Sequence, residues 1–180
     1  MKGLLTLVLL GSACASAQDE VAVVHATAAC GPDSAQFEIK IDRSRHPLGT
    51  VEPGKALVYV IEDQKTKFIK DVTTRVALNS SWVGANRGDS YFFFTVEPGE
   101  NHLCADWESP FLAADRLISL AHFTAEAGKV YYFRARTTGS SGSGAGNHQD
   151  QLPSLDLELV NDDQGALLVA SSPFSSSRHR

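Results

Sequence analysis

Phe37, Ile39 and Ile41 alternate with Glu38, Lys40 and Asp42. A period of two sends successive side chains to opposite faces of an extended chain, so this stretch reads as a strand with one dry and one wet face. The pattern recurs along the chain. Val72 to Leu78 puts Val72, Thr74, Val76 and Leu78 on one side. Asn101 to Trp107 gathers Leu103, Ala105 and Trp107; Val130 to Thr137 gathers Tyr131, Phe133 and Ala135; Ser154 to Val160 gathers Leu155, Leu157 and Leu159. Ile118 to Thr124 adds another strand. Ala56 to Ile61 and Tyr91 to Val96 are apolar on both faces, which marks strands covered on both sides. The aromatic run Tyr91-Phe92-Phe93-Phe94 makes the second of these the expected most buried strand.

These segments predict an all-β fold: a single-domain antiparallel β-sandwich of about eight strands. Turn chemistry agrees. Glu52-Pro53-Gly54-Lys55 and Glu97-Pro98-Gly99-Glu100 place Pro then Gly at the centre of a four-residue turn. Proline presets φ and glycine accepts the positive φ that a type II turn requires. Glu126-Ala127-Gly128-Lys129 is a looser copy, and the Glu97 to Glu100 turn is expected to make a hairpin of its flanking strands. Helix is scarce: about two turns at Pro110 to Leu117 and a short turn at Asp162 to Val169.

The chain's start reads as an export signal. Lys2 precedes the apolar run Leu4 to Leu10, and Ala15-Ser16-Ala17 offers a small-x-small cleavage site before Gln18. Cys14 after Gly11-Ser12-Ala13 partly matches a lipobox, so lipid anchoring at Cys14 is the second processing route. The expected organisation is a signal peptide over 1–17, a β-sandwich over 18–170 with a flexible Gly/Ser loop at 139–150, and a disordered Ser-rich tail over 171–180. The predicted location is exported: periplasmic, envelope-associated or secreted.

Sixteen Lys and Arg against 21 Asp and Glu give a formal charge of −5, and losing Lys2 makes it one unit more negative. Such a chain has no electrostatic footprint for nucleic acid, and a membrane contact is expected only if Cys14 is lipidated. Two cysteines, Cys30 and Cys104, remain after signal removal. In an oxidising compartment they are expected to pair, closing a loop of about 75 residues worth on the order of 4 kcal/mol in the chain-entropy model.

Motifs for chemistry are sparse. The run Gly139 to Gly146 lacks the Lys-Ser or Lys-Thr and the following helix of a phosphate loop. No G-x-S-x-G elbow occurs. The six histidines show no zinc-ligand spacing, and only His102, two residues before Cys104, suggests a local pair. No catalytic, cofactor-binding or metal residue is therefore assigned. Asp106 and Glu108 flank Trp107 and offer the one acid pair for a sugar cleft, against the plainer reading of two solvated carboxylates. Trp82 and Trp107 read first as packing residues and second as stacking platforms. Asn79-Ser80-Ser81 matches a glycosylation sequon, relevant only in a eukaryotic secretory host.

Gly54-Lys55-Ala56-Leu57-Val58-Tyr59-Val60, the segment from Gly88-Asp89-Ser90-Tyr91 through Pro98-Gly99-Glu100-Asn101-His102, and Lys129-Val130-Tyr131-Tyr132-Phe133 together resemble the DUF2846 family of bacterial exported β-rich proteins. The resemblance covers about half of the mature chain. It implies a β-rich fold and an envelope location, and it transfers no catalytic residue. The function expected is that of a non-catalytic envelope or secreted module with a binding or structural role, its partner an envelope protein or a glycan. The alternative is a carbohydrate-active or other hydrolytic enzyme whose site is assembled in space.

Overall fold

The computed structural model describes residues 30–64, 72–108, 117–138 and 154–180. Ten strands and one helix occur among them. In chain order they are β1 (Phe37–Asp42), β2 (Ala56–Glu62), β3 (Thr73–Leu78), β4 (Ser81–Arg87), β5 (Tyr91–Val96), β6 (Gly99–Glu108), β7 (Leu117–Ala125), β8 (Val130–Thr138), β9 (Ser154–Val160), α1 (Asp162–Ser171) and β10 (Phe174–His179). They form a six-stranded sheet in the order β1-β10-β5-β2-β8-β9 and a four-stranded sheet in the order β4-β3-β6-β7. One apolar cluster draws on both sheets. Val58, Val60, Phe92, Phe133 and Leu157 come from the first; Val76, Leu103, Ala105, Trp107 and Phe123 come from the second.

All eight strands read from the sequence are present, and two were missed. β4 carries Gly84 at its centre, where a Cβ would fall 2.5 Å from the Phe92 ring. It pairs with β3 through Asn79 and Ser80, whose φ values of 48° and 70° are those of a two-residue hairpin turn. The most buried strand is β2, all seven of whose residues are buried, and not β5.

Three further expectations are corrected. The sheets are not purely antiparallel: β2 pairs with β8 in parallel, as does β10 with β5. Alternation encodes faces and carries no strand direction, whereas apolarity on both faces of β2 suits a strand covered on both sides. Pro98-Gly99 makes no hairpin. β5 stays in the six-stranded sheet and β6 in the four-stranded one, so the turn carries the chain between sheets. Gly99 takes φ 118°, a conformation open to glycine, and the Asn101 side chain closes the corner by donating to the Glu97 and Gly99 carbonyls.

The tail is not disordered in the structure. Phe174–His179 pairs with all six residues of β1. Phe174 packs its ring against Tyr91 and Phe93. The serines of this strand are useful because they are small and polar. Ser175 Oγ donates to the Ala85 carbonyl and Ser177 Oγ accepts from the Ala85 amide, linking β10 to β4 across the two sheets. The Asp162 segment is a helix of ten residues, capped by Asn161, whose side chain accepts from the Gln164 amide. The signal peptide, the Pro110 segment up to residue 116 and the Gly/Ser loop lie outside the described residues.

Cys30 and Cys104 are bonded, with Cα atoms 5.1 Å apart. The bond fastens the segment before β1 to the outer face of the four-stranded sheet, beside Ala77 and Trp82. With residues 1–17 removed, thiol titration of the unfolded, unreduced protein is expected to find no free thiol. Two per chain would contradict the bond.

Candidate functional site

The outward face of the six-stranded sheet also needs cover, because β2 presents Leu57, Tyr59 and Ile61 there. Two elements supply it. Helix α1 comes close to β8 at Gly165, where a Cβ would lie 2.1 Å from Cγ and 2.4 Å from Cβ of Tyr132. The segment from His46 to Val51 is strapped down by two phenols. Tyr59 accepts a hydrogen bond from the Gly49 amide at 2.8 Å, and Tyr91 donates to the Pro47 carbonyl at 2.8 Å. Gly49 has no space for a side chain, since its Cβ would meet Leu57 and Phe93 at 2.8 Å.

Between the two covers lies a groove of about 420 Å³. Its floor is Leu57 and Tyr59 from β2 with Val130 and Tyr132 from β8; one wall is Ala166, Val169 and Ala170 of α1, and the other is His46, Leu48, Gly49 and Val51. Tyr59 and Tyr132 stack at 5.2 Å with planes 13° apart, and Tyr59 also touches the ring of Phe93 at 5.5 Å. His46 lies over Tyr91 at 5.0 Å. Burial, with Tyr59 adding, pushes the Tyr91 phenol up to about 12 and raises that of Tyr132. Both therefore stay neutral near pH 7 and act as apolar surface with a hydrogen-bonding tip. Volume and lining match the general form of a small-molecule site, apolar with a few polar groups.

The residues singled out from sequence lie elsewhere. Asp106 is fully buried and pairs with Arg75 of the adjacent β3, so it is not a solvated carboxylate. Arg75 also donates to the carbonyls of Asp33 and Ala35 and lies 4.5 Å from the centre of the Trp82 ring. Trp82 donates to the Pro32 carbonyl at 2.9 Å, and Trp107 is inside the core. Asn79 is engaged with Asn101 and with the His102 amide. Cys104 is committed to its disulfide, so His102 and Cys104 are not a ligand pair. The groove itself was missed. Its one signal was the second apolar face of β2, which had to be covered by something.

The structure also contains a polar depression of about 430 Å³, lined by Arg43, Arg87, Asp89 and Ser171 among others, in which acid and base charges oppose each other. No helix among the described residues is long and apolar enough to cross a membrane.

No curated protein and no solved structure matches the chain. A family model does: that of a protein family of unknown function, DUF2846, over residues 52–146. The match runs from the turn before β2 through the end of β8 and includes the floor of the groove, whereas α1 lies beyond it. Covering more than half of the sequence, it establishes that the chain belongs to the DUF2846 family.

Proposed function

We propose that this protein is an exported, non-catalytic binding module that holds the apolar body of a small molecule in the groove between α1 and the six-stranded sheet. The observation that carries the reading is the groove itself: a hydrocarbon-lined cleft with the His46 ring and two phenolic hydroxyls as its polar side-chain groups. Such a lining favours a ligand with an apolar chain or ring and one polar end. The two sheets, sharing one apolar core, are read as a β-sandwich. The small-x-small site before Gln18 and the Cys30–Cys104 bond support export, since disulfides persist in oxidising compartments. The hydrolytic alternative loses its support from sequence, because Asp106 is spent on Arg75.

The test is a fluorescence titration of the mature protein with 1-anilinonaphthalene-8-sulfonate, followed by displacement with a medium-chain fatty acid. One equivalent of dye is expected to bind and to be displaced. Ala170 is exposed on the groove wall, so Ala170→Trp fills the groove without entering the core. This variant is expected to bind about tenfold more weakly, a loss of about 1.4 kcal/mol, with an unchanged melting temperature. Equal dye affinity in the variant would show that the groove is not the site.

A further inference from the structure

The outer face of the four-stranded sheet brings together two histidines that are far apart in sequence. His102 on β6 and His122 on β7 are directly opposed in the antiparallel register. Their ring centroids are 5.8 Å apart with planes inclined by 31°. Both side chains are exposed. Their backbones are held firmly. β6 and β7 pair from Gly99↔Ala125 to Trp107↔Leu117, and the His102 amide donates to Asn79 Oδ1 while its carbonyl accepts from the Asn79 amide, each at 2.9 Å.

That spacing suits one shared cation. A divalent metal holds an imidazole nitrogen at about 2.0–2.1 Å, so two rings on one ion have centroids roughly 4.4 Å apart at a right angle and roughly 6.2 Å apart in line. The observed separation lies inside this interval, and exposed rings need only small side-chain rotations to turn a nitrogen each onto one point. We propose that His102 and His122 form a two-imidazole site for a late first-row divalent cation, with Cu²⁺ the preferred ion.

The donor set decides the metal. Among the described residues no group of three or more His, Cys, Asp and Glu side chains gathers to hold an ion, so the remaining positions fall to water. A structural zinc site needs four protein ligands. Two neutral nitrogens with water in the other positions suit tetragonal Cu²⁺, which also binds nitrogen donors most tightly in the divalent series. The site lies within the residues matched by the family model and is separate from the groove, so it stands independently of the ligand proposed there.

The experiment titrates the mature full chain with CuCl₂, read by calorimetry and by electron paramagnetic resonance. The expected result is one equivalent with hyperfine structure from two nitrogens. His102→Ala and His122→Ala should each weaken this site roughly tenfold or more, with metal-free melting temperatures unchanged because both rings are exposed. His46→Ala should leave it intact. ZnCl₂ should bind at the same pair more weakly. Unchanged Cu²⁺ affinity in the His102→Ala, His122→Ala double variant would place binding elsewhere on the chain and overturn the proposal, as would a spectrum showing a single nitrogen.

Discussion

Replacing Asp106 by alanine is expected to destabilise the protein by about 3–5 kcal/mol, the usual cost of stranding one member of a buried ion pair. Both partners are almost completely removed from water: the Arg75 side chain is 3% exposed and that of Asp106 0%. Alanine removes the counter-charge and leaves the guanidinium committed to a dry site. It cannot simply swing out. Its other contacts fasten it to the Asp33 and Ala35 carbonyls and over the Trp82 ring. Those contacts belong to the segment that the disulfide ties down, so the loss should spread beyond β3 and β6. Chemical denaturation gives the value.

The companion variants separate charge from packing. Arg75→Lys keeps the charge but not the planar fork that serves a carboxylate and two carbonyls together, and it should recover little. Arg75→Met with Asp106→Leu removes both charges. It should cost clearly less than the sum of the single changes, because both single changes remove the same buried interaction. A loss below about 1 kcal/mol for Asp106→Ala would mean that water reaches the pair.

Much of the fold was legible because burial on one face of a sheet imposes a period of two. That is why Phe37 to Asp42 and Val72 to Leu78 could be read as strands directly. The same signal is silent about partners and direction. Tyr91 to Val96 and Asn101 to Trp107 are consecutive and strong, yet they belong to different sheets, and nothing in their alternation distinguishes a hairpin from a crossing between layers. Phe174 to His179 failed for a different reason. Serine-rich composition usually means too little apolar surface to offset chain entropy. Here one phenylalanine anchors the strand, β1 supplies a full ladder, and the hydroxyls bond to the backbone of a neighbouring strand.

The candidate sites were less legible. The groove joins the His46 segment, β2, β8 and α1, which meet only after the sheet has formed. His102 and His122 stand twenty positions apart and face each other only because β6 and β7 pair in this register. A search for local histidine spacings cannot see such a pair. Asp106 shows the reverse: its proximity to Trp107 and Glu108 in sequence suggested a cleft, and the strand's alternation instead turned it towards Arg75 on the neighbouring strand.

Glu62 should make the fold less stable as the solution becomes more alkaline, between about pH 4.5 and pH 8. The residue ends β2 and is wholly buried. Burial raises its carboxyl from the ordinary 4.5 to about 8; hydrogen bonds donated by Thr74 and Gln64 to Oε1 oppose that rise, and the charge of Asp89 adds to it. Oε2 meets no hydrogen-bond partner among the described residues, so nothing there compensates an ionised carboxylate. The folded chain therefore holds a proton that the unfolded chain has released. Below pH 4.5 both states are protonated and stability from this group is complete. Above it the unfolded state ionises first, and stability falls by up to about 1.4 kcal/mol per pH unit until the folded carboxyl also ionises near pH 8. The full loss is on the order of 5 kcal/mol. Glu62→Gln keeps the shape and the acceptor for Thr74 and Gln64 but never ionises. Denaturant unfolding of both proteins at pH 5, 6.5 and 8 should show them close together at pH 5, with the variant more stable by a few kcal/mol at pH 8. Taking the difference cancels every group that ionises alike in the two proteins. Parallel stability curves for the two would mean that Glu62 is ionised in the folded state, with a partner or water reaching Oε2.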